Sequence, residues 1–123
     1  MDLIISIKND TNYTPYLSAV QLTGADWLPT QELKVDDPIA GGRQIVGMVS
    51  GTIPFSGSVT VHYSYVQPGP GGADVVLTFD VTRLQGQPAI GFNDQVLPPN
   101  VLTNTTSHVD TLDGVDAVLL HIQ

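Results

Sequence analysis

The sequence predicts an all-β chain, a single antiparallel β-sandwich of about eight short strands occupying residues 1–123 as one domain. Three observations carry this. Between Gly57 and Arg83 two long runs alternate apolar and polar residues with period two, the pattern of half-buried strands. Shorter apolar runs elsewhere are separated by clusters of Gly, Pro, Asn and Asp. No segment carries an apolar stripe at helical spacing over about three turns.

Taken in order, Leu3, Ile5 and Ile7 open the chain as a strand that stops at Asn9-Asp10-Thr11-Asn12, residues that favour turns. A second strand covers Tyr16 to Leu22. From Thr23 to Pro38 the pattern blurs, with a short strand around Leu33 and Val35 as one reading and a helical turn near Trp27 as another. Gly41-Gly42 leads into Arg43 to Ser50, where Ile45, Gly47 and Val49 share one face and Val46 and Met48 the other. Apolar residues on both faces mark a central or covered strand. Gly51 to Ser56, with Pro54 inside, reads as a loop or bulged edge.

The hairpin follows. Val59, Val61, Tyr63 and Tyr65 face inward, Ser58, Thr60, His62 and Ser64 outward, Gln67 to Gly72 form the turn, and Val75, Leu77, Phe79 and Val81 return on the buried face. After Arg83, the spacing of Gly86, Pro88, Gly91, Pro98 and Pro99 leaves room only for short extended pieces such as Ala89 to Phe92. Asn104 to Ser107 is a polar turn. Ala117 to Ile122 closes the chain as a strand, with Leu119 and His121 opposite Val118, Leu120 and Ile122.

Composition excludes several functions. With 41% hydrophobic and 13% charged residues the chain is too apolar for disorder, yet no apolar run reaches the ~20 residues of a membrane-spanning helix. A formal charge of −8, from four basic and twelve acidic side chains, leaves no cluster to neutralise nucleic-acid phosphates and disfavours docking on an anionic membrane. A neutral lipid headgroup or a sugar remains compatible. The absence of cysteine removes disulfides and thiolate chemistry, and leaves the compartment open. No signal peptide is expected from Leu3 to Ile7, which points to the cytoplasm or to export by a non-standard route.

The layout resembles the actinoporin-like β-sandwiches: the actinoporins, the fungal fruit-body lectins and, more loosely, the aegerolysins. The residues that carry this are Asn9-Asp10-Thr11 after the first strand, Pro38-Ile39 before Gly41-Gly42, Gly51, the run Gly57 to Tyr63, Leu77 to Val81, and the closing Val118 to Ile122. The resemblance implies a sandwich presenting polar loops, and an actinoporin-like cytolysin is one function it allows. Two departures weaken that function. The first strand begins where actinoporins carry a membrane-inserting segment, and Thr82, Arg83, Leu84 and Gln85 stand where the family places a choline-gripping aromatic cluster. What remains lies on the lectin side of the group.

Among chemistry-bearing residues, the three His residues, 62, 108 and 121, have no metal-ligand spacing and read as surface or rim imidazoles. Ser107, His108 and Asp110 supply the residue types of a catalytic triad, but such close neighbours form no hydrogen-bonded relay. No enzyme is expected. Asp110, Asp113 and Asp116 around Gly114 offer a weak calcium set, with a solvated turn as the plainer reading and no cofactor expected. The glycosylation patterns at Asn9, Asn12 and Asn104 are read as polar turns.

Aromatic residues beside Asn or Asp are how a lectin stacks on a sugar ring while bonding its hydroxyls. Tyr13, Tyr16, Asp26, Trp27, Asn93 and Asp94 are therefore the candidate ligand-binding residues, with Trp27 as a core plug the competing reading. The expected function is a non-enzymatic recognition module for carbohydrate or a neutral lipid headgroup. The alternative is a structural protein forming homo-oligomers through a sheet edge or face.

Overall fold

The computed structural model describes residues 1–64 and 72–123. Among them are seven strands and no helix: β1 (Asp2–Asn9), β2 (Tyr16–Trp27), β3 (Gln44–Tyr63), β4 (Ala73–Leu84), β5 (Gln87–Leu97), β6 (Thr106–Leu112) and β7 (Val115–Ile122). They hydrogen-bond in the order β5-β4-β3-β1-β7-β6, with β2 also on β3.

The twenty-residue β3 sets the shape. Its first part, Gln44 to Ser50, pairs with β1, its second, Phe55 to Tyr63, pairs with β4, and β2 runs antiparallel along the other side of both. The ribbon bends where its ladders break. Gly24 adopts φ 78°, the register slips between Thr23 and Ala25, and residues 52–54 have no ladder partner. Pro54, which has no N–H to donate, sits in that gap. The two ends of the sheet then meet: Ser107 Oγ donates to the Asp94 carboxylate across β6 and β5, with no ladder between them. The sheet is nearly closed and barrel-like.

Alternation fills the interior. Leu3, Ile5, Ile7, Val49, Val59, Val61, Tyr63, Val75, Leu77, Phe79, Val81, Val118, Leu120 and Ile122 form one buried cluster. Inward positions along each strand recur with period two, so their apolar area is removed from water together.

The two ends of this barrel-like sheet differ. One is closed by tight two-residue turns at Gln85-Gly86 (φ 52° and 79°) and Asp113-Gly114 (φ 51° and 77°), the all-positive geometry of a type I′ hairpin. The ribbon bend at Gly24 lies there too, near Met1, whose ammonium donates to Gly51 O at 2.8 Å. The other end gathers the β1–β2 and β5–β6 connections, the later part of the long β2–β3 connection, and the ends of β3 and β7.

Several expectations need correcting. The piece expected at Ala89 to Phe92 is an eleven-residue strand paired with β4 along its whole length. Leu33 and Val35 form no strand: Leu33 is buried over Gly47 while Val35 is exposed. The second strand continues past Leu22 to Trp27, and Gly51 to Ser56 is a bend within β3, not a loop. Val46 is exposed, so the expected central strand is flanked on both edges but open on its outer face. Tyr65 and most of the expected turn at Gln67 to Gly72 lie outside the described residues.

Candidate functional site

The loop-bearing end is built around Asn9, the last residue of β1, which is fully buried. Its Nδ2 donates to Tyr13 O and Ile39 O, both at 2.8 Å, and its Oδ1 accepts from Thr11 N at 3.0 Å, Thr11 Oγ1 at 2.6 Å and Tyr63 OH at 3.1 Å. One carboxamide thereby fixes the β1–β2 loop against β3 and the segment at Ile39. The glycosylation pattern at Asn9 is thus a structural joint, with both amide protons engaged.

Beside it, the register of three strands lays Tyr16, His62 and Asp74 in a row on the outer face. The Tyr16 and His62 rings lie 5.3 Å apart at 59°, and His62 Nδ1 is 2.7 Å from Asp74 Oδ1. Asp74 fixes the ring that Tyr16 covers. Tyr13 meets Tyr63 edge to face, centroids 6.2 Å apart. Burial pushes the Tyr63 phenol up to about 12, against the pull of its hydrogen bond with Thr11.

Opposite Asp74 on β5 stands Leu97, and from there a cavity of about 350 Å³ runs beneath the β5–β6 connection. Val96, Leu97, Val101 and Leu102 give it apolar walls, and Asp94, Gln95, Thr103 and Thr105 its polar groups. Asp94 faces inward, opposite buried Leu77, where Ser107 holds its carboxylate. The Thr105 hydroxyl is shut off from solvent and has no hydrogen-bond partner. The volume is at the small end of ligand cavities, and the mix of apolar wall with a few placed polar groups is typical of them.

The six residues singled out for ligand binding do not converge. Tyr13, Tyr16 and Asp94 belong to the loop-bearing end. Asn93, next to Asp94, points to the outer face, where Thr78 Oγ1 donates to its carbonyl at 3.5 Å. Asp26 and Trp27 lie at the far end of β2 from Tyr16. Trp27 is half-buried, packed against the core with its ring over Gly47 beside Leu33, the arrangement of a core plug.

Asp110 and Asp116 fall on opposite faces of the β6–β7 hairpin, since Asp110 opposes Ala117 while Asp116 opposes Thr111. Asp113 occupies the turn. No group of three metal-ligating side chains forms among the described residues.

Two features escaped the sequence reading. The outer face of the hairpin, where His62 reads only as a surface or rim imidazole, carries the His62–Asp74 pair. The signal was present in the hairpin register, since pairing Val61 with Val75 places His62 against Asp74. Thr105 had no local signal, because its isolation is made by packing of residues distant in sequence. No protein-family model matches the chain, and no curated protein matches it.

Proposed function

We propose that this chain is a non-enzymatic recognition module whose loop-bearing end takes a carbohydrate or the hydroxyl-rich part of a neutral lipid headgroup, without a metal cofactor. The observation that carries this reading is the Thr105 hydroxyl, buried without a partner at the cavity that also holds Asp94. An unpaired buried hydroxyl costs about 1–3 kcal/mol, and a polyol restores the missing bond once the β5–β6 connection shifts to open Thr105 Oγ1 to the cavity. Asp94 accepts from a second ligand hydroxyl, while Val96, Val101 and Leu102 suit the C–H face of a sugar ring. Tyr16, held over His62, offers an aromatic surface on the same outer row as Leu97, with His62 and Asp74 between them.

The resemblance to the lectin side of the actinoporin-like group supports the same reading. In those terms the sheet is a sandwich whose two layers share the bent β2–β3 ribbon. Rigid strands would then present the loops.

The test is a glycan and headgroup panel read by NMR shift mapping on the native chain, Thr105→Val and Asp94→Asn. The expected result is binding mapped to residues 94–105 and weakened about tenfold or more in each variant. Thr105→Val, which removes an unsatisfied group, should melt no lower than the native chain. Failure of every glycan and headgroup to shift these resonances refutes the reading.

A second reading, assembly of copies, rests on one observation: beyond Leu17, among the described residues, β2 pairs along only one side, with β3. A solution mass of one chain at micromolar concentration would dismiss it.

A further inference from the structure

The apolar interior is left uncovered along one line, next to the contact between Asp94 and Ser107. β5 runs towards the loop-bearing end and β6 runs away from it. Two positions further from that end on each strand stand Phe92 and Val109. Both face inward, since Phe92 opposes Phe79 and Val109 opposes Val118. Those ladder partners are 3% and 0% exposed, whereas Phe92 is 42% and Val109 37% exposed. Among the described residues no ladder joins β5 to β6, so nothing covers these two side chains. Ile90, the next inward residue on β5, is half-buried and packs on the core, which extends the apolar wall.

The uncovered surface is a strip with polar borders. On β5 the neighbouring outward residues are Gly91 and Asn93, and on β6 they are His108 and Asp110. A strand rises about 3.3 Å per residue, so Asp94 to Ile90 gives the strip a length of about 13 Å. Asp94 stands at its upper limit and is also a wall of the cavity beneath the β5–β6 connection. Polar groups in the cavity thus adjoin an apolar strip, with the carboxylate held by Ser107 at the junction.

That continuity, together with charge, identifies the occupant. A second copy would bring its own formal charge of −8 to a strip bordered by Asp94 and Asp110. An uncharged hydrocarbon chain meets no such repulsion, needs no backbone partners, and removes Phe92 and Val109 from water. A chain attached to whatever fills the cavity is already positioned to do so.

We infer that the ligand of the cavity is a neutral amphiphile, whose polyol head is bonded at Asp94 and whose single alkyl chain lies along Phe92 and Val109. This rests on the function proposed above and narrows its ligand class.

The test uses the intact chain with methyl, hexyl and octyl β-glucosides and β-galactosides, each below its micelle concentration, read by NMR shift mapping. Every glycoside is expected to shift residues 94–105. The hexyl and octyl forms should also shift Phe92 and Val109, with affinity rising about fourfold for each methylene covered and so about tenfold from hexyl to octyl. Phe92→Ser and Val109→Ser should abolish that gain while leaving the methyl glycosides unaffected, and Phe92→Leu should keep most of it. Both residues are exposed, and backbone spectra verify that the variants fold. A second arm compares glycerol with 1-octylglycerol. Tighter binding of the octyl glycosides assigns the head to a sugar, and tighter binding of octylglycerol assigns it to a glycerolipid.

Methyl glycosides that bind at residues 94–105 with no gain from a longer chain overturn the inference and leave the proposed function standing. Shifts at Phe92 and Val109 without residues 94–105 also overturn it, because the strip then serves an occupant unconnected with the cavity. So does a dimer in the absence of amphiphile whose interface maps to Phe92. Absence of any shift in both arms overturns the inference as well, and the wider glycan and headgroup panel then decides the function separately.

Discussion

The hydroxyl of Tyr63, at the end of β3, donates to the Asn9 carboxamide at the end of β1 across 3.1 Å, and both side chains are buried. This bond joins residues 54 positions apart. Asn9→Ala should therefore do more than delete one contact. It strands the carbonyl of Ile39 and takes one partner each from the Tyr63 hydroxyl and the Tyr13 carbonyl, for a loss of about 3 kcal/mol. Urea unfolding checks this, with an unchanged slope and a lower midpoint expected. The same variant should loosen the β1–β2 loop, visible as faster amide exchange from Thr11 to Tyr13.

Tyr63 also gives the fold an alkaline limit. Its phenol is pushed up to about 12 by burial, whereas an unfolded tyrosine loses its proton near ~10. The unfolded chain therefore gains from deprotonation first. The stabilisation is complete below about pH 10 and is lost as pH rises towards 12, a change of order 2 kcal/mol. Comparing Tyr63→Phe with the native chain across that window isolates it. The variant should be weaker at neutral pH yet less sensitive to base.

At the acid end the relevant group is Asp10. The hydrogen bond with His121 holds its carboxyl below the ordinary value, with desolvation opposing and the charges of Lys8 and His121 assisting. A depressed carboxyl stabilises the fold above its unfolded value and ceases to do so as pH falls through its folded one. Asp10→Asn should lower the denaturant midpoint above about pH 5 and converge with the native chain as pH falls through the lowered folded value of Asp10. Equal differences at all pH values would show that the ion pair has no part in the acid response.

Gly47 tests the placing of the single Trp. A β-carbon built there would lie 2.7 Å from both Leu33 Cγ and Trp27 Cζ3 and 3.0 Å from Gln31 O. Gly47→Ala should lift Trp27 off the sheet, at a cost of about 1–3 kcal/mol, and red-shift its fluorescence. Gly114→Ala is the contrast. Its β-carbon meets nothing within 4 Å, so only the strain of φ 77° applies, about 1 kcal/mol, and Trp27 emission should not change.

Legibility of the fold followed the asymmetry of burial. The hairpin of β3 and β4 was readable because one face of each strand is sealed, so Val59, Val61 and Tyr63 alternate cleanly with polar residues, as do Val75 to Val81. β5 was hidden because it meets β6 without a ladder, so even inward Phe92 is 42% exposed and apolar alternation is under weak demand. Its prolines mislead for a related reason. Pro88 and Pro98 lie at the two ends of the strand, where a missing N–H interrupts little of the ladder. The neglected cue was Gln85-Gly86, a two-residue turn that re-aims the chain antiparallel.

The candidate site was less legible than the fold. Local context marked Tyr16 and Asp94, but it also marked Asp26 and Trp27, which the bent ribbon carries to the opposite end. Proximity of Tyr16 to His62, or of Thr105 to Asp94, depends on which strands become neighbours. That is a tertiary fact with no local composition to announce it.

The parallel pairing of β1 with β7, Ile4 against Ala117 through Asn9 against Ile122, sets the order in which the molecule can assemble. During synthesis, the β2–β3–β4–β5 portion can zip up strand by strand as it emerges. β1, however, made before the other six, keeps one edge unsatisfied until the last residues of β7 are available. Contacts so distant along the chain slow folding, and they place its completion after β7 has emerged from the ribosome. Until then the newborn chain displays Leu3 to Ile7 as a bare adhesive edge, so chaperone demand during translation should concentrate on that strand.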